Sequence, residues 1–234
     1  MVIQIDGVPP STEIRARLRA EDRPVILAFS TGKDSITAWL ALRDAGIPVR
    51  PYYMYGIPGN LRFIEDTLAY FEDYFGTRIP RFPHPSLYRQ LNMLVWQTPE
   101  RCAVIEAAKL PEPDYAEYGD LLREEFGLDP STWIADGVRA ADSITRRVSV
   151  KKHGVMKPSN KKVSPVWDWQ IADVRAAIAD HGVQLPVDYE MFGRSFDGID
   201  YRFLKPVHDR FPDDYQRILD WFPLAELELI RHDL

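Results

Sequence analysis

Cysteine is almost absent from this chain: Cys102 is the single one among 234 residues. One thiol excludes an intrachain disulfide, a dithiol redox pair, a four-cysteine zinc site and an iron–sulfur cluster ligated by this chain alone. Neither zinc nor an iron–sulfur cluster is therefore expected. Long apolar runs are missing as well. None approaches the roughly 20 residues that span a bilayer, and the first 24 residues lack the uninterrupted apolar core of a signal peptide. The expectation is a cytoplasmic protein with no membrane partner. Positive charge is not in excess either, with 29 Lys and Arg against 35 Asp and Glu and a formal net charge of −6. Broad coating of nucleic acid by phosphate neutralisation is thereby disfavoured, while a local basic site stays open. The five histidines (84, 153, 181, 208 and 232) show no metal-ligand spacing.

What remains is the composition of an ordinary globular protein, 45% hydrophobic and 27% charged. Its length suits one large α/β domain, or a domain with a small appendage. Residues 1–23 read as an N-terminal extension with a weak helix over Glu13–Ala20, residues 24–210 as the main domain, and 211–234 as a C-terminal helical segment. PVILAFS (24–30) is a short apolar run of the kind found in buried parallel strands. Ile36, Trp39 and Leu40 then recur at helical spacing until Gly46, a C-terminal cap. IPVRPYYMY (47–55) reads as a second strand, and Ile64, Leu68, Phe71 and Phe75 share one helix face that Gly76 ends. This order predicts a doubly wound, mainly parallel sheet.

Later segments are plainer. RIPRFPHP (78–85) predicts an edge strand because prolines cannot donate to a ladder. Residues 86–126 read as helical, broken at 110–114, and WIADGVR (133–139) as a strand. Residues 149–165, polar, basic and nearly aperiodic, predict a mobile loop. Asp168 is expected to cap the helix carrying Ile171, Val174 and Ile178. LPVDYEMFGRSFDGIDYRFLKP reads as irregular, and a last helix begins near Pro212.

The strongest chemical signal is Ser30-Thr31-Gly32-Lys33-Asp34-Ser35, lodged between the first strand and its helix. Main-chain N–H groups and the positive end of the helix dipole converge there, which is where an anion binds. Gly32 is expected to let the backbone approach closely, while the hydroxyls of Ser30, Thr31 and Ser35 add donors and Lys33 adds charge. It is not a Walker A loop, which needs glycine where Leu27 stands and Ser or Thr where Asp34 stands. No Gly-x-Gly-x-x-Gly follows this strand either.

AFSTGKDS resembles the SxGxDS loop of the PP-loop ATP pyrophosphatases, which cleave ATP between the α- and β-phosphates. Two later stretches resemble the PAPS (phosphoadenosine phosphosulfate) reductase-like branch: DGVRAADSITRR (136–147), with its strand-borne Gly-x-Arg, and VSPVWDWQIADVRAAIADHGVQLPVDYEMFGR (163–194). The similarity spans roughly residues 24–210. It implies ATP and Mg2+ as ligands, phosphates held by Ser30, Thr31, Gly32, Lys33, Asp34 and Ser35, and Asp34 assisting the metal. Magnesium is also expected on chemical grounds, since a hard cation neutralises charge on phosphate oxygens. Met54 and Tyr55 fall where the family seats adenine, or are core and rim residues. Arg139 lies at the C-terminal end of a strand, where open parallel sheets bind ligands, and its fork suits a phosphate or sulfate. Gly137, Ser143 and Arg146 belong to the same candidate ligand set, but Ser143 and Arg146, like Asp136, Asp142 and Arg147, are weaker members that read equally as capping residues or surface pairs. Lys33, Asp34 and Arg139 are the candidate catalytic residues.

The chain departs from the sulfonucleotide reductases in one respect: no cysteine follows Cys102, so their C-terminal nucleophile is missing. Cys102 itself reads as a buried apolar side chain. Three functions follow as expectations. The first is adenylation of an acidic or nucleotide-like acceptor with release of pyrophosphate. The second is handling of PAPS or adenylyl sulfate with a thiol from outside. The third is a non-catalytic nucleotide-binding subunit of a nucleic-acid modification system, with a protein partner. Self-association is left open, and the basic segment is a lid or a solvated face.

Overall fold

The computed structural model describes residues 2–233. Met1 and Leu234, which the expected terminal segments include, lie outside them. Helix α1 (Ser11–Ala20) is followed by β1 (Val25–Ala28), α2 (Lys33–Asp44), β2 (Val49–Tyr55), α3 (Arg62–Phe75) and β3 (Arg81–Pro83). Then come α4 (Pro85–Asn92), α5 (Pro99–Ala108), α6 (Tyr115–Glu125), β4 (Ile134–Ala135), α7 (Ile144–His153), β5 (Met156–Lys157), β6 (Lys162–Val163) and α8 (Ile171–Asp180). The C-terminal part is α9 (Val187–Phe192), α10 (Tyr201–Arg210), α11 (Pro212–Trp221), a 3-10 turn (Pro223–Glu226) and α12 (Leu227–Asp233). Among the described residues no helix is long and apolar enough to cross a membrane.

The strands form a mainly parallel six-stranded sheet in the order β3-β2-β1-β4-β6-β5. β1 lies parallel to β2, with Val25 opposite Val49, and parallel to β4, with Ile26 opposite Ile134. The chain therefore leaves β1 toward β2 and returns on β1's other side as β4. Such a reversal of strand order opens a crevice at the carboxyl ends of the two strands. β4 is parallel to β6, and β5 runs antiparallel to β6.

The chain divides into two compact units. The first comprises residues 2–53, 77–80 and 116–185, with β1, most of β2, β4 to β6, α1, α2, α7 and α8. Ile26, Leu27, Ile36 and Leu40 form its dry centre, and the Phe29 and Trp39 rings meet edge to face at 5.1 Å. Burying one such side chain contributes about 2 kcal/mol. The second comprises 54–76, 81–115 and 186–233. Phe63 anchors its aromatic cluster, 5.9 Å from Phe196 and 5.2 Å from Phe211. The N-terminus of α3 is capped from α11: the Asp214 carboxylate accepts the Arg62 N–H at 2.7 Å and the Phe63 N–H at 3.2 Å.

Four expectations need correction. Residues 149–165 are not one continuous loop: they contain the last turns of α7 and the short β5–β6 hairpin, whose turn places Lys161 at φ 53°. Ladder bonds from a neighbouring strand order this stretch, and no local periodicity announces them. The strand expected over 133–139 is confined to Ile134–Ala135, because Asp136 turns the chain by accepting the Val138 N–H at 3.1 Å. Asp168 does not cap α8. Its Oδ2 accepts the Ser11 N–H at 2.9 Å and so caps α1, while the Asp173 carboxylate accepts the Gln170 N–H at the start of α8. Finally, the stretch read as irregular contains α9 and the first turns of α10, with Pro206 inside the latter.

Candidate functional site

Residues Ser30–Ser35 leave the carboxyl end of β1 and enter α2, in the first unit. Gly32 is extended (φ −72°, ψ 148°) and serves as the N-cap residue of α2. The left-handed conformation falls instead on Thr31, at φ 59°. For a β-branched residue this is an outlier costing on the order of 1–3 kcal/mol, of the kind concentrated at ligand-binding loops. Local bonds hold it there: the Thr31 hydroxyl donates to the Ser30 carbonyl at 2.6 Å. Ser35, expected to offer its hydroxyl outward, closes the loop. Its Oγ donates to the Gly32 carbonyl at 2.9 Å and accepts the Ser30 N–H at 3.2 Å. The first intrahelical bond of α2 runs from the Ile36 N–H to the Gly32 carbonyl, so the main-chain donors of Lys33, Asp34 and Ser35 precede it and mark the helix start.

The segment after β4 lies against this helix start. A Cβ on Gly137 would sit 2.6 Å from the Asp34 carbonyl carbon, 2.7 Å from its oxygen and 2.7 Å from the Ser35 nitrogen. No side chain fits between these backbones. Gly137 is thus the packing point that brings residues 136–142 onto the first turn of α2, next to the phosphate-binding loop the sequence singles out.

Charges meet at this junction. The Lys33 ammonium lies 3.0 Å from Asp34 Oδ2, and Asp34 Oδ1 lies 2.9 Å from Arg139 Nε. Arg139 Nη2 donates to Asp142 Oδ1 at 2.6 Å, and Arg146 Nη1 donates to Asp142 Oδ2 at 2.6 Å. Ser143 caps α7 by accepting the Arg146 N–H. The result is an alternating chain Lys33–Asp34–Arg139–Asp142–Arg146 of three cations and two anions. Arg139 is only 3% exposed, and its Nη1 has no hydrogen-bond partner among the described residues. The Asp34 Oδ1–Arg139 Nε approach is also off the hydrogen-bond direction, so both atoms are buried ion partners without that bond. A buried guanidinium with unused donors fits an anion better than it fits a carboxylate already shared.

Asp136 faces Ser164, whose hydroxyl donates to its Oδ1 at 2.7 Å. Burial pushes the Asp136 carboxyl up, against the pull of the Ser164 and Val138 donors and of Lys157 and Lys162. The sequence reading ranks Asp136 low and misses Ser164. Their contact joins residues 28 positions apart, and nothing local signals it.

Met54 and Tyr55 end β2 and belong to the second unit. There the Tyr55 carbonyl accepts the His84 N–H at 2.9 Å, and burial, then Tyr88, raises the phenol's pKa. Arg147 lies on exposed α7. Lys161 stacks over Trp133 at 5.6 Å. Cys102 is half-buried rather than buried, with its thiol 4.0 Å from the Gln97 carbonyl. Among the described residues no group of three His, Cys, Asp or Glu is placed to hold a metal ion.

No protein-family model matches the chain, and neither does any curated protein. Solved structures similar to it include a phosphoadenylyl-sulfate reductase of Candida auris in a phosphate complex, at 16% identity and a TM-score of 0.46, covering 81% of this chain and 88% of that one. Another is an NH3-dependent NAD synthetase of Campylobacter jejuni in complex with the nitrate ion, at 14% identity and a TM-score of 0.46, covering 94% and 90%. Likenesses of this degree carry no inference about activity, which rests on the site itself.

Proposed function

We propose that the chain is a PP-loop enzyme that binds ATP at Ser30–Ser35 and transfers its adenylyl group to an acceptor oxygen. The observation that carries this reading is the strained Thr31 turn, closed by Ser35 at the start of α2, with Lys33 and the buried Arg139 converging on Asp34 of the same loop. Backbone strain kept in place by a hydroxyl bond, beside a guanidinium with an unused buried donor, suits an oxyanion that supplies the missing acceptor.

Each residue then has a task. The helix start and Lys33 receive phosphate oxygens, and Arg139 Nη1 meets the charge that builds at the α-phosphorus. Asp34, flanked by Lys33 and Arg139, is the residue that would hold magnesium, with Lys33 then facing the phosphates. One carboxylate plus phosphate oxygens is a donor set that fits Mg2+, which seldom uses an all-protein cage. When bound, that ion would neutralise the charge on the phosphates. The acceptor oxygen forms its bond to the α-phosphorus, the α–β bridging bond breaks, and pyrophosphate leaves with the electron pair. Asp142 is a positioning residue, holding Arg139 through Nη2 and its main-chain N–H.

Isothermal titration of ATP, a non-hydrolysable analogue and PAPS with magnesium tests the reading on wild type and on the Lys33→Ala/Asp34→Ala double variant. ATP binding that the double variant loses by at least tenfold, with pyrophosphate released on acceptor screening, is the expected result. Binding of PAPS alone would transfer the site to sulfonucleotide chemistry. Binding of neither would overturn it.

A further inference from the structure

Charge is strongly segregated along the chain. Between Ser143 and Trp167 lie seven of the 29 Lys and Arg and none of the 35 Asp and Glu. The remaining 22 positive and 35 negative side chains leave the rest of the molecule at −13. The structure folds this stretch into α7 and the β5–β6 hairpin, so the charge sits on ordered elements.

Helix α7 is anchored at few points. Val150 is its buried residue, and every residue from Ile144 to Val148 is exposed. At 100° per residue, the face opposite Val150 carries Thr145, Val148 and Lys152, with Ile144 and Lys151 on one flank. Ile144 is 83% exposed and Val148 is 58% exposed. Arg147, Lys151 and Lys152 make no ion pair or side-chain hydrogen bond among the described residues. A merely solvated face carries charges of both signs; this one is uniformly basic around two apolar side chains one turn apart.

We propose that this face of α7 docks on duplex DNA, with its basic side chains on phosphates and Ile144, Thr145 and Val148 toward the major groove. Charge complementarity selects a polyanion, and the geometry selects among polyanions. The major groove of B-DNA admits an α-helix, whereas that of A-form RNA does not. Stacking on unpaired bases would need aromatic rings, and no Phe, Tyr or Trp occurs from Ser143 to Val166. Ile, Val and Thr methyl groups match the apolar thymine methyl. An overall net charge of −6 confines such binding to this one face. The inference does not depend on turnover at the ATP site, although Arg146 and Asp142 tie the start of α7 to Arg139.

Fluorescence anisotropy of the full chain with a 30-base-pair duplex, at salt from 50 to 200 mM, is the test. Contacts to about three phosphates give a log–log salt slope near −2.7. Reversal of two exposed charges (Lys151→Glu, Lys152→Glu) should weaken binding at least tenfold while leaving ATP titration unchanged. Lys33→Ala should do the reverse, losing ATP and keeping DNA, so the two readings fail separately. Absence of salt-dependent duplex binding, or binding that survives the reversal, overturns the proposal. So does a preference for duplex RNA or for poly-glutamate over DNA in competition.

Discussion

Thr31 and Gly137 show how two neighbouring segments are fitted together one residue at a time. Thr31 carries the left-handed turn while Gly32 is extended, so a positive φ is not what glycine supplies at 32. At Gly137 the missing side chain is what counts, since a Cβ there would enter the Asp34 and Ser35 main chain, which cannot swing aside as a flexible side chain can. Gly137→Ala should therefore displace the first turn of α2, cost about 1–3 kcal/mol as an overpacking change, and weaken ATP binding. Denaturant unfolding and nucleotide titration on the same variant check both parts. A fully stable variant that binds ATP as wild type does would show that the two backbones are free to separate.

Among the elements, α1 illustrates a helix held by partners distant in sequence. The N–H of its first residue, Ser11, is received by Asp168, Arg15 donates to the Pro165 carbonyl, and Trp167 Nε1 donates to the Pro9 carbonyl. Residues 165–168 thus tie down an N-terminal segment that reads in sequence as a loosely attached extension. Removing the cap in Asp168→Ala should cost about 1–2 kcal/mol and leave α1 less protected. Hydrogen exchange of the α1 amides, compared with those of α8, measures this. Loss of protection in α8 instead would favour the expected cap that the structure does not show. Helix α3 follows the same logic in the second unit, where Asp214 of α11 supplies the cap that Leu61 cannot.

At the scale of the whole molecule, each unit buries one carboxyl whose pKa is raised: Asp136 in the first and Asp188 in the second. Burial is the largest cause for both. The Asp188 carboxylate accepts the Phe196 N–H at 2.8 Å, which opposes the shift without cancelling it. A raised folded-state pKa means that the unfolded chain gives up its proton first as pH rises. From about pH 4 up to the folded-state value the native protein holds more protons, so stability falls with pH across that window. Asn at either position cannot ionise and keeps an oxygen for the same donors. Asp136→Asn and Asp188→Asn should each gain stability relative to wild type as pH is raised from 3.5 to 6.5, by urea midpoints. A difference that stays constant with pH would mean that neither carboxyl titrates in that range.

The order of strands and helices around the first loop could be read directly from the chain. Val25–Ala28, the helical spacing after Lys33, the caps at Gly46 and Gly76 and the proline-bounded edge strand Arg81–Pro83 all stand in the structure. Each is set by local sterics, by periodicity or by a missing N–H, which neighbours along the chain suffice to express. The phosphate-loop motif was legible for the same reason. Long-range pairing was not. That Asp168 serves α1, that Ser164 meets Asp136, that Gly137 presses on Asp34, and that a basic aperiodic stretch becomes a helix end and a hairpin all depend on residues brought together from afar. A carboxylate or a glycine is compatible with many partners, and only the closed fold, with its ladders and buried donors, selects one.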